Sequence, residues 1–155
     1  MIRTATEADF DFIRAIQSDP ANLKTIAEDS LNGLAHYLTD AHTDLLIWEQ
    51  NAMPQGFIVL AGVNYKDVVE LRRLALKSPG QGQGQAVIAD IIAYSFDMLD
   101  AQRLWFDVAA DNTRARRAYE RAGFTYEGTL RQHWLRRSGD RADLALYGML
   151  RDERP

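Results

Sequence analysis

ELRRLALKSPGQGQGQAV, the stretch from Glu70 to Val87, decides the fold class and directs the search for a function. Its first seven residues continue a strand pattern that begins at Val68. Ser78-Pro79-Gly80 ends this strand, and a helix with an apolar stripe is predicted from Gly84 to Leu99. The first N–H groups of a helix have no partner within it, and glycines let the chain pack closely against a ligand. The stretch therefore predicts an anion-binding turn between a strand and a helix.

Two common nucleotide-binding motifs do not fit this turn. A P-loop requires Gly-Lys-Ser/Thr at its end, whereas Gln85-Ala86 follow Gly84. The dinucleotide fingerprint Gly-x-Gly-x-x-Gly requires its third glycine where the chain has Gln85 or Val87. The turn also follows three consecutive strand patterns rather than the first parallel strand of a dinucleotide fold. The sequence therefore excludes both motifs.

The elements around the turn predict a single α+β (mixed α/β) domain. Strand patterns cover Ile2–Ala5, Asp44–Gln50, Gly56–Val63, Val68–Leu76, Leu104–Val108, Phe124–Glu127 and Ala142–Leu150. Helix patterns begin at Glu7 after the capping residue Thr6 and cover Ala21–Asp29, Leu31–Leu38, Gly84–Leu99 and Asn112–Arg121. A meander followed by alternating strands and helices predicts a mixed sheet of six or seven strands with helices on both faces.

The composition is that of a folded domain that needs no covalent cross-links. The 155 residues are 46% hydrophobic and 26% charged, which is enough for one continuous core. The sequence contains no cysteine, so disulfides, cysteine zinc sites and a thiol acyl-enzyme are excluded, and a cytoplasmic location is expected. No apolar run approaches the ~20 residues of a membrane span, and the N-terminus has no signal-peptide pattern.

Charge is distributed unevenly along a chain whose net charge is −4. Residues 1–67 hold 4 basic and 10 acidic side chains, whereas residues 68–137 hold 11 basic and 8 acidic ones. The acidic balance argues against nucleic-acid binding, even by the arginine-rich segment 131–141. No cluster with the spacing of metal ligands is evident, so no metal is expected.

Three motifs give the chain a resemblance to the Gcn5-related N-acetyltransferases (GNAT), which bind acetyl-coenzyme A (acetyl-CoA) on such a turn. The first is Gln81-Gly82-Gln83-Gly84-Gln85-Ala86, which matches Gln/Arg-x-x-Gly-x-Gly/Ala. The second is Asn112-x-x-Ala115-x-x-x-Tyr119-x-x-x-Gly123-Phe124. The third, Gly139-x-x-x-Asp143-x-x-x-Tyr147-x-x-Leu150-x-x-Glu153, is similar to the ribosomal-protein N-terminal (RimJ/RimL-like) branch. The resemblance covers about residues 55–153 and implies two central strands that splay around the cofactor.

The resemblance also implies which residues bind acetyl-CoA. The strand backbone of Leu74, Ala75 and Leu76 would contact the pantetheine amides. The diphosphate would lie on the main-chain amides of Gln81, Gly82, Gln83, Gly84, Gln85, Ala86 and Val87, and Asn112 would donate a hydrogen bond from the start of the second helix. Basic side chains expected to hold the remaining phosphate charge are Arg72, Arg73, Lys77, Arg114, Arg116 and Arg117.

Three side chains are candidates for proton transfer. Tyr119 occupies the position where the family often has the acid that protonates the leaving thiolate, and a phenol suits that role because it is protonated at neutral pH. Glu70 matches the base of the histone-acetylating members, and strand alternation without a bulge would place it on the face of Leu74. Asp107 lies five residues before Asn112, where the ribosomal N-terminal enzymes have a glutamate. Glu70 is the preferred base.

The function implied is N-acetylation of a primary amine, of a protein N-terminus or a small molecule, by direct attack in a ternary complex with acetyl-CoA. Residues 1–54 would supply the acceptor-side helices and first strands, and residues 55–153 the cofactor-binding core of one N-acetyltransferase domain spanning residues 1–155. The acidic N-terminal part is expected to attract a cationic acceptor. The alternative is a non-catalytic acyl-CoA-binding or sensor module. A homodimer is expected, since dimers are common in similar proteins.

Overall fold

Seven strands and four α-helices form in residues 1–65 and 67–155, the parts of the chain that the computed structural model describes. The strands are β1 (Ile2–Thr4), β2 (Thr43–Gln50), β3 (Met53–Ala61), β4 (Val68–Leu76), β5 (Arg103–Ala109), β6 (Thr125–Leu135) and β7 (Arg141–Leu150). The helices are α1 (Phe10–Gln17), α2 (Leu31–Thr39), α3 (Gly84–Ala93) and α4 (Thr113–Arg121).

One mixed sheet contains all seven strands in the order β1-β2-β3-β4-β5-β7-β6. Every neighbouring pair is antiparallel except β4 and β5, which are parallel. The β2–β3–β4 meander and the following strand–helix alternation are as the sequence predicts. The expected single domain with a mixed central sheet is therefore confirmed.

The parallel pair separates soon after it forms. Val68–Glu70 of β4 pair with Arg103–Trp105 of β5, and the pairing stops there. Beyond this point β4 continues alongside β3 to Leu76, and β5 continues alongside β7 to Ala109. The sheet therefore opens between β4 and β5 toward the carboxyl ends of both strands, which confirms the expected splay.

Two apolar layers cover the sheet. On one face, here called the α3–α4 face, the α3 residues Val87, Ile88 and Ile91 pack with Phe106 of β5. On the other, the α1–α2 face, Ile13 of α1 and Leu34 of α2 are fully buried against residues of β2 and β3. Burial of a side chain of this size contributes about 1.5–3 kcal/mol. These two layers fix the sheet on both sides of the opening.

A β-bulge at Arg72 changes which face of the sheet the side chains of β4 point to on its two sides. Leu71 pairs with Leu60, and Arg73 pairs with the adjacent Val59, so Arg72 has no partner position on β3. Leu71 and Leu74, three residues apart, therefore both contact the α3–α4 layer. Glu70 projects to the opposite, α1–α2 face. The expectation that Glu70 shares the face of Leu74 is wrong because of this extra residue.

The largest differences between the predicted and the observed elements are in three segments. Ala21–Asp29 is not a helix; after one 3₁₀ turn at Pro20–Asn22, the chain has no regular structure until α2 begins at Leu31. α3 ends at Ala93 and continues as a π-helical turn, Tyr94–Met98, rather than as an α-helix to Leu99. β6 extends to Leu135, well past the predicted Glu127, because its pairing with β7 resumes at Trp134 after an irregular stretch.

Candidate active site

A cavity of about 780 Å³ occupies the opening between β4 and β5, and is here called the cleft. Its walls come from both sides of the sheet. On the α3–α4 face they include the Gly80–Gly84 turn and the N-terminal parts of α3 and α4, and on the α1–α2 face they include residues of the segment 22–27 and of β6. Because β4 has no strand partner on its β5 side beyond Glu70, its backbone edge on that side, from Leu71 to Leu76, borders the cleft.

The α3 end of the cleft has the features of an anion site. Gly82 has a φ of +80°, and a Cβ at Gly82 or Gly84 would meet no atom within 4 Å, so both backbones border open space. The first helical hydrogen bond is from the Val87 amide to the Gln83 carbonyl, so the preceding N–H groups of α3 have no helical partner. The Gln83 side chain does not cap them, because its Nε2 donates to Gln50 Oε1 at 2.9 Å. These N–H groups therefore remain available to an anion.

The residues expected at this turn divide into two groups. Gly82, Gly84, Gln85 and Val87 line the cleft, as do Leu74, Ala75 and Leu76 on the strand side. Gln81, Gln83 and Ala86 do not line it; Gln83 bonds to Gln50, and Gln81 and Ala86 are exposed. Binding of the diphosphate by the backbone amides of these three residues stays a prediction.

The start of α4 forms the neighbouring wall. Its N-cap is Asn112, the first residue of the predicted helix, whose Oδ1 accepts from the Ala115 amide at 3.3 Å. Asn112 lines the cleft, and the cap leaves its Nδ2 group free to donate. Gln85 Nε2 donates to the Ala118 carbonyl at 2.9 Å, which joins the first turn of α3 to α4.

Only part of the predicted basic group reaches the cleft. Arg72, Arg73 and Arg114 line it, as does Arg121, which the sequence analysis missed. Arg116 does not, because its guanidinium donates to the Tyr147 hydroxyl at 2.9 Å and to the Ala110 carbonyl at 3.0 Å. Lys77 and Arg117 also lie outside the lining. The motif spacing predicts α4. It does not predict which arginines of α4 line the cleft, because that depends on the face of the helix on which Arg114 and Arg121 lie.

Tyr119 is buried at the cleft wall, with 9% of its surface exposed. Its ring centroid lies 4.1 Å from that of Phe106, and its hydroxyl makes no hydrogen bond within residues 1–65 and 67–155. Burial raises the pKa of Tyr119, because the phenolate would lose its solvation. The hydroxyl is therefore protonated through the neutral range.

The two candidate bases lie together on the α1–α2 face. Asp107 lines the cleft, is exposed to it, and is otherwise surrounded by protein; this desolvation raises its pKa, and the nearby charge of Glu70 raises it further. Glu70 does not line the cleft, and its Oε2 accepts from Arg72 Nη2 at 3.1 Å. The sequence favours Glu70 as base, whereas the cleft geometry favours Asp107.

The end of the cleft on the α1–α2 face is closed by two segments distant in sequence. Asn22, Thr25 and Ile26 line it from one side, and His133 and Trp134 of β6 from the other. Neither His133 nor Trp134 belongs to a motif that the sequence analysis uses. Their convergence depends on the length of β6, for which the local pattern gives no signal.

Arg136 and Arg137 hold these segments together. Arg137 Nη2 donates to the carbonyls of Gln17, Asn22 and Ile26 at 2.9, 3.4 and 3.1 Å. Arg136, almost completely buried, bonds to the Lys24 carbonyl and to Asp111, at 2.6 Å for the shorter Asp111 contact. Both guanidinium groups are therefore structural, which removes them from any nucleic-acid surface.

Acidic side chains of the N-terminal part are used within the protein. Asp9 and Glu49 pair with Arg3 at 2.8 and 2.6 Å, and Glu28 pairs with Arg137 at 3.3 Å. Among the described residues of the segment 1–54, none of the residues lining the cleft is acidic. The described residues also contain no group of three or more histidine and carboxylate side chains placed to hold a metal ion, and none of their helices has the length and apolarity to span a membrane.

Comparisons with known proteins give one family. The model of the acetyltransferase (GNAT) family matches residues 10–124. The uncharacterised N-acetyltransferases Rv2669 of Mycobacterium tuberculosis (strain ATCC 25618 / H37Rv) and Mb2688 of Mycobacterium bovis are each 30% identical over 114 residues, which cover 71% of this chain and 72% of the relative.

Solved structures with the same fold include spermidine N-acetyltransferases. A chimera of the Vibrio cholerae enzyme SpeG and hSSAT superimposes with a TM-score of 0.85 and 21% identity, covering 98% of this chain and 95% of the other. The Vibrio cholerae enzyme in complex with CoA and spermine has a TM-score of 0.85 and 20% identity, covering 99% and 96%. At these identities the likeness shows the fold alone.

Proposed function

Because this chain belongs to the acetyltransferase (GNAT) family, we propose that it transfers the acetyl group of acetyl-CoA to a primary amine by direct attack in a ternary complex. Family membership makes the chain an acetyl-CoA-dependent acyltransferase. The acceptor, the order of proton transfers and the residues that perform them are the proposed parts.

One observation carries the proposal: the cleft passes through the sheet, with different chemistry at each end. Its α3–α4 end has uncapped helix amides and two glycines bordering open space, which suits a diphosphate. Its middle is bordered by the free edge of β4, which suits the amides of a pantetheine arm. Its α1–α2 end has Asp107, which suits an incoming amine. The residues present therefore fit acetyl-CoA.

The chemistry follows from these positions. Asp107 accepts a proton from the acceptor ammonium, whose pKa of about 10 otherwise keeps it protonated. The amine nitrogen attacks the thioester carbonyl carbon, a C–N bond forms, and the C–S bond then breaks. A β4 amide near Leu74–Leu76 stabilises the oxyanion, and Tyr119 donates its proton to the departing sulfur. The attacking nitrogen loses its surplus proton to solvent as the amide forms, Tyr119 regains a proton from solvent, and Asp107 releases its proton to solvent. Since the sequence has no cysteine, no thiol acyl-enzyme intermediate intervenes.

The acceptor class has two candidates. Similarity in fold to spermidine N-acetyltransferases favours a small amine. The pattern from Gly139 to Glu153 favours a protein N-terminus, as in the ribosomal-protein branch, but the neighbours found do not support that branch. The division of the domain at residue 54, a homodimer and a cytoplasmic location stay predictions from the sequence.

Release of free thiol from acetyl-CoA in the presence of an amine panel tests the proposal. We expect release with at least one primary amine and saturation with both substrates in an intersecting kinetic pattern. Calorimetry with acetyl-CoA supplies the control. Binding of acetyl-CoA without thiol release for any amine would instead support the sensor module and reject the enzyme.

A further inference from the structure

Two guanidinium groups line the acceptor end of the cleft. Arg72 and Arg73 follow each other at the bulge of β4, and both border the cavity. Arg72 is paired with Glu70 at 3.1 Å, whereas Arg73 is only loosely paired, with its Nε 3.7 Å from Asp29 Oδ2, and a loosely paired guanidinium at an amine site attracts an anionic group rather than a second cation. We infer from it that the acceptor is a small primary amine with a carboxylate a few bonds from the nitrogen. This inference rests on the proposed function and deepens it.

Arg73 has unused hydrogen-bonding capacity. Its Nη1 donates to the Arg72 carbonyl at 2.8 Å, while its Nε makes no hydrogen bond and lies 3.7 Å from Asp29 Oδ2. The Asp29 carboxylate already accepts from Gln17 Nε2 at 3.1 Å and from the Tyr37 hydroxyl at 3.0 Å. Within residues 1–65 and 67–155 Nη2 of Arg73 makes no hydrogen bond, so it remains a donor for a ligand. A guanidinium in this state is suited to a carboxylate, which it binds with two parallel N–H groups.

Opposite charges surround the same space. Asp107 faces the cleft from β5 and is influenced by the charges of both Glu70 and Arg73. An acceptor with an ammonium group near Asp107 and a carboxylate near Arg73 would therefore place each of its charges beside an opposite one. A polycation has no anionic group for Arg72 and Arg73, and must bring its second charge near them.

Matched acceptors provide the test. Thiol release is measured with glycine, β-alanine and γ-aminobutyrate, each against its carboxamide, and with spermidine. We expect kcat/KM to be about tenfold to a hundredfold higher for one or more of the acids than for the matching carboxamide, the range typical of a charge-assisted contact. A tripeptide that begins with Asp, compared with one that begins with Asn, distinguishes a peptide source of the carboxylate from a free one.

Arg73→Gln is the test variant, and Arg117→Gln is its control, since Arg117 is exposed on α4 outside the cleft. We expect Arg73→Gln to abolish the preference for acid over carboxamide, by raising the KM of the acid much more than that of the carboxamide. Release with spermidine but not with the carboxylated amines would overturn this inference and leave the proposed function standing. No release with any amine would overturn the proposed function itself.

Discussion

Glu70 and Asp107 project from neighbouring strands to the same face of the sheet, and the negative charge of Glu70 contributes to the raised pKa of Asp107. The first contribution to that shift is desolvation, and Glu70 adds to it. A carboxylate with a raised pKa is a stronger base than an ordinary one, which suits removal of a proton from an ammonium group. We therefore propose a supporting role for Glu70 and contact with the amine for Asp107.

This relationship predicts how pH affects activity. The base form of Asp107 predominates above its pKa, so kcat/KM should fall as pH decreases through that value. Glu70→Gln removes a neighbouring negative charge, lowers the pKa of Asp107, and should shift this acidic limb to lower pH. Asp107→Asn should remove the limb and lower kcat/KM by about 10²–10⁴-fold.

Glu127→Gln is the control, because Glu127 pairs with Arg103 on β5 and lies outside the cleft lining. It should leave the pH profile unchanged. If Glu70→Gln removes the acidic limb while Asp107→Asn retains it, the two carboxylates exchange roles.

Tyr119→Phe should lower kcat by about a hundredfold or more with little change in acetyl-CoA affinity. The hydroxyl makes no hydrogen bond within the described parts of the chain, so its removal should also leave the thermal unfolding midpoint nearly unchanged. Tyr147→Phe should behave oppositely. Its hydroxyl accepts from Arg116 at 2.9 Å and donates to Glu120 at 2.7 Å, so its loss should cost about 1–3 kcal/mol of stability with kcat retained. Loss of acetyl-CoA binding in Tyr119→Phe would assign that ring to packing instead.

Gly84→Ala should separate stability from ligand binding. Gly84 is the first residue of α3 and does not have a positive φ, so alanine is compatible with its backbone and should leave the free protein as stable or up to about 1 kcal/mol more stable. The added Cβ would project into the open space before the amides and should weaken acetyl-CoA binding about tenfold or more. Gly33→Ala in α2 is the matched control, where the Cβ would be 3.4 Å from Ser30 Oγ and far from the turn. Calorimetry with acetyl-CoA compares the two; equal affinities would mean that the diphosphate lies elsewhere.

Arg137→Met should loosen the acceptor side without affecting the cofactor side. The substitution removes a donor shared by the carbonyls of Gln17, Asn22 and Ile26, at a cost of about 1–3 kcal/mol. We expect a higher KM for the acceptor, faster proteolysis between residues 17 and 29, and an unchanged affinity for acetyl-CoA. Arg141→Met, which removes one exposed bond to the Gln132 carbonyl, is the control. An unchanged cleavage pattern in Arg137→Met would mean that other contacts hold the segment.

Local patterns predict the elements that carry their own signals. Val68–Leu76 has the predicted bounds, because an apolar strand there ends at Ser78-Pro79-Gly80. Gly84 begins α3 as expected, since glycines permit the turn that precedes it. The contacts of Gly82, Asn112 and Tyr119 with the cleft were likewise expected from motif spacing. Each of these features depends on residues near in sequence.

Long-range contacts account for the features that the sequence analysis missed. The segment 23–30 is held by Arg137, which is more than a hundred residues away in sequence. The apolar spacing of this segment predicts a helix, but the helix does not form. The bulge at Arg72 depends on register with β3, which no property of β4 alone reveals. The preference for Glu70 as the base assumes a β4 strand without a bulge. In the structure, which has the bulge, Asp107 lines the cleft and Glu70 does not.

The bulge at Arg72 and the opening between β4 and β5 place the two ends of the cleft on separate layers of one sheet. Under the proposed function, residues that select the amine would lie with the segment 22–27 and the end of β6, whereas those that hold the thioester carrier would lie with α3 and α4. Substitutions in the first set would then alter which compound is acetylated without touching the residues that hold the acyl donor.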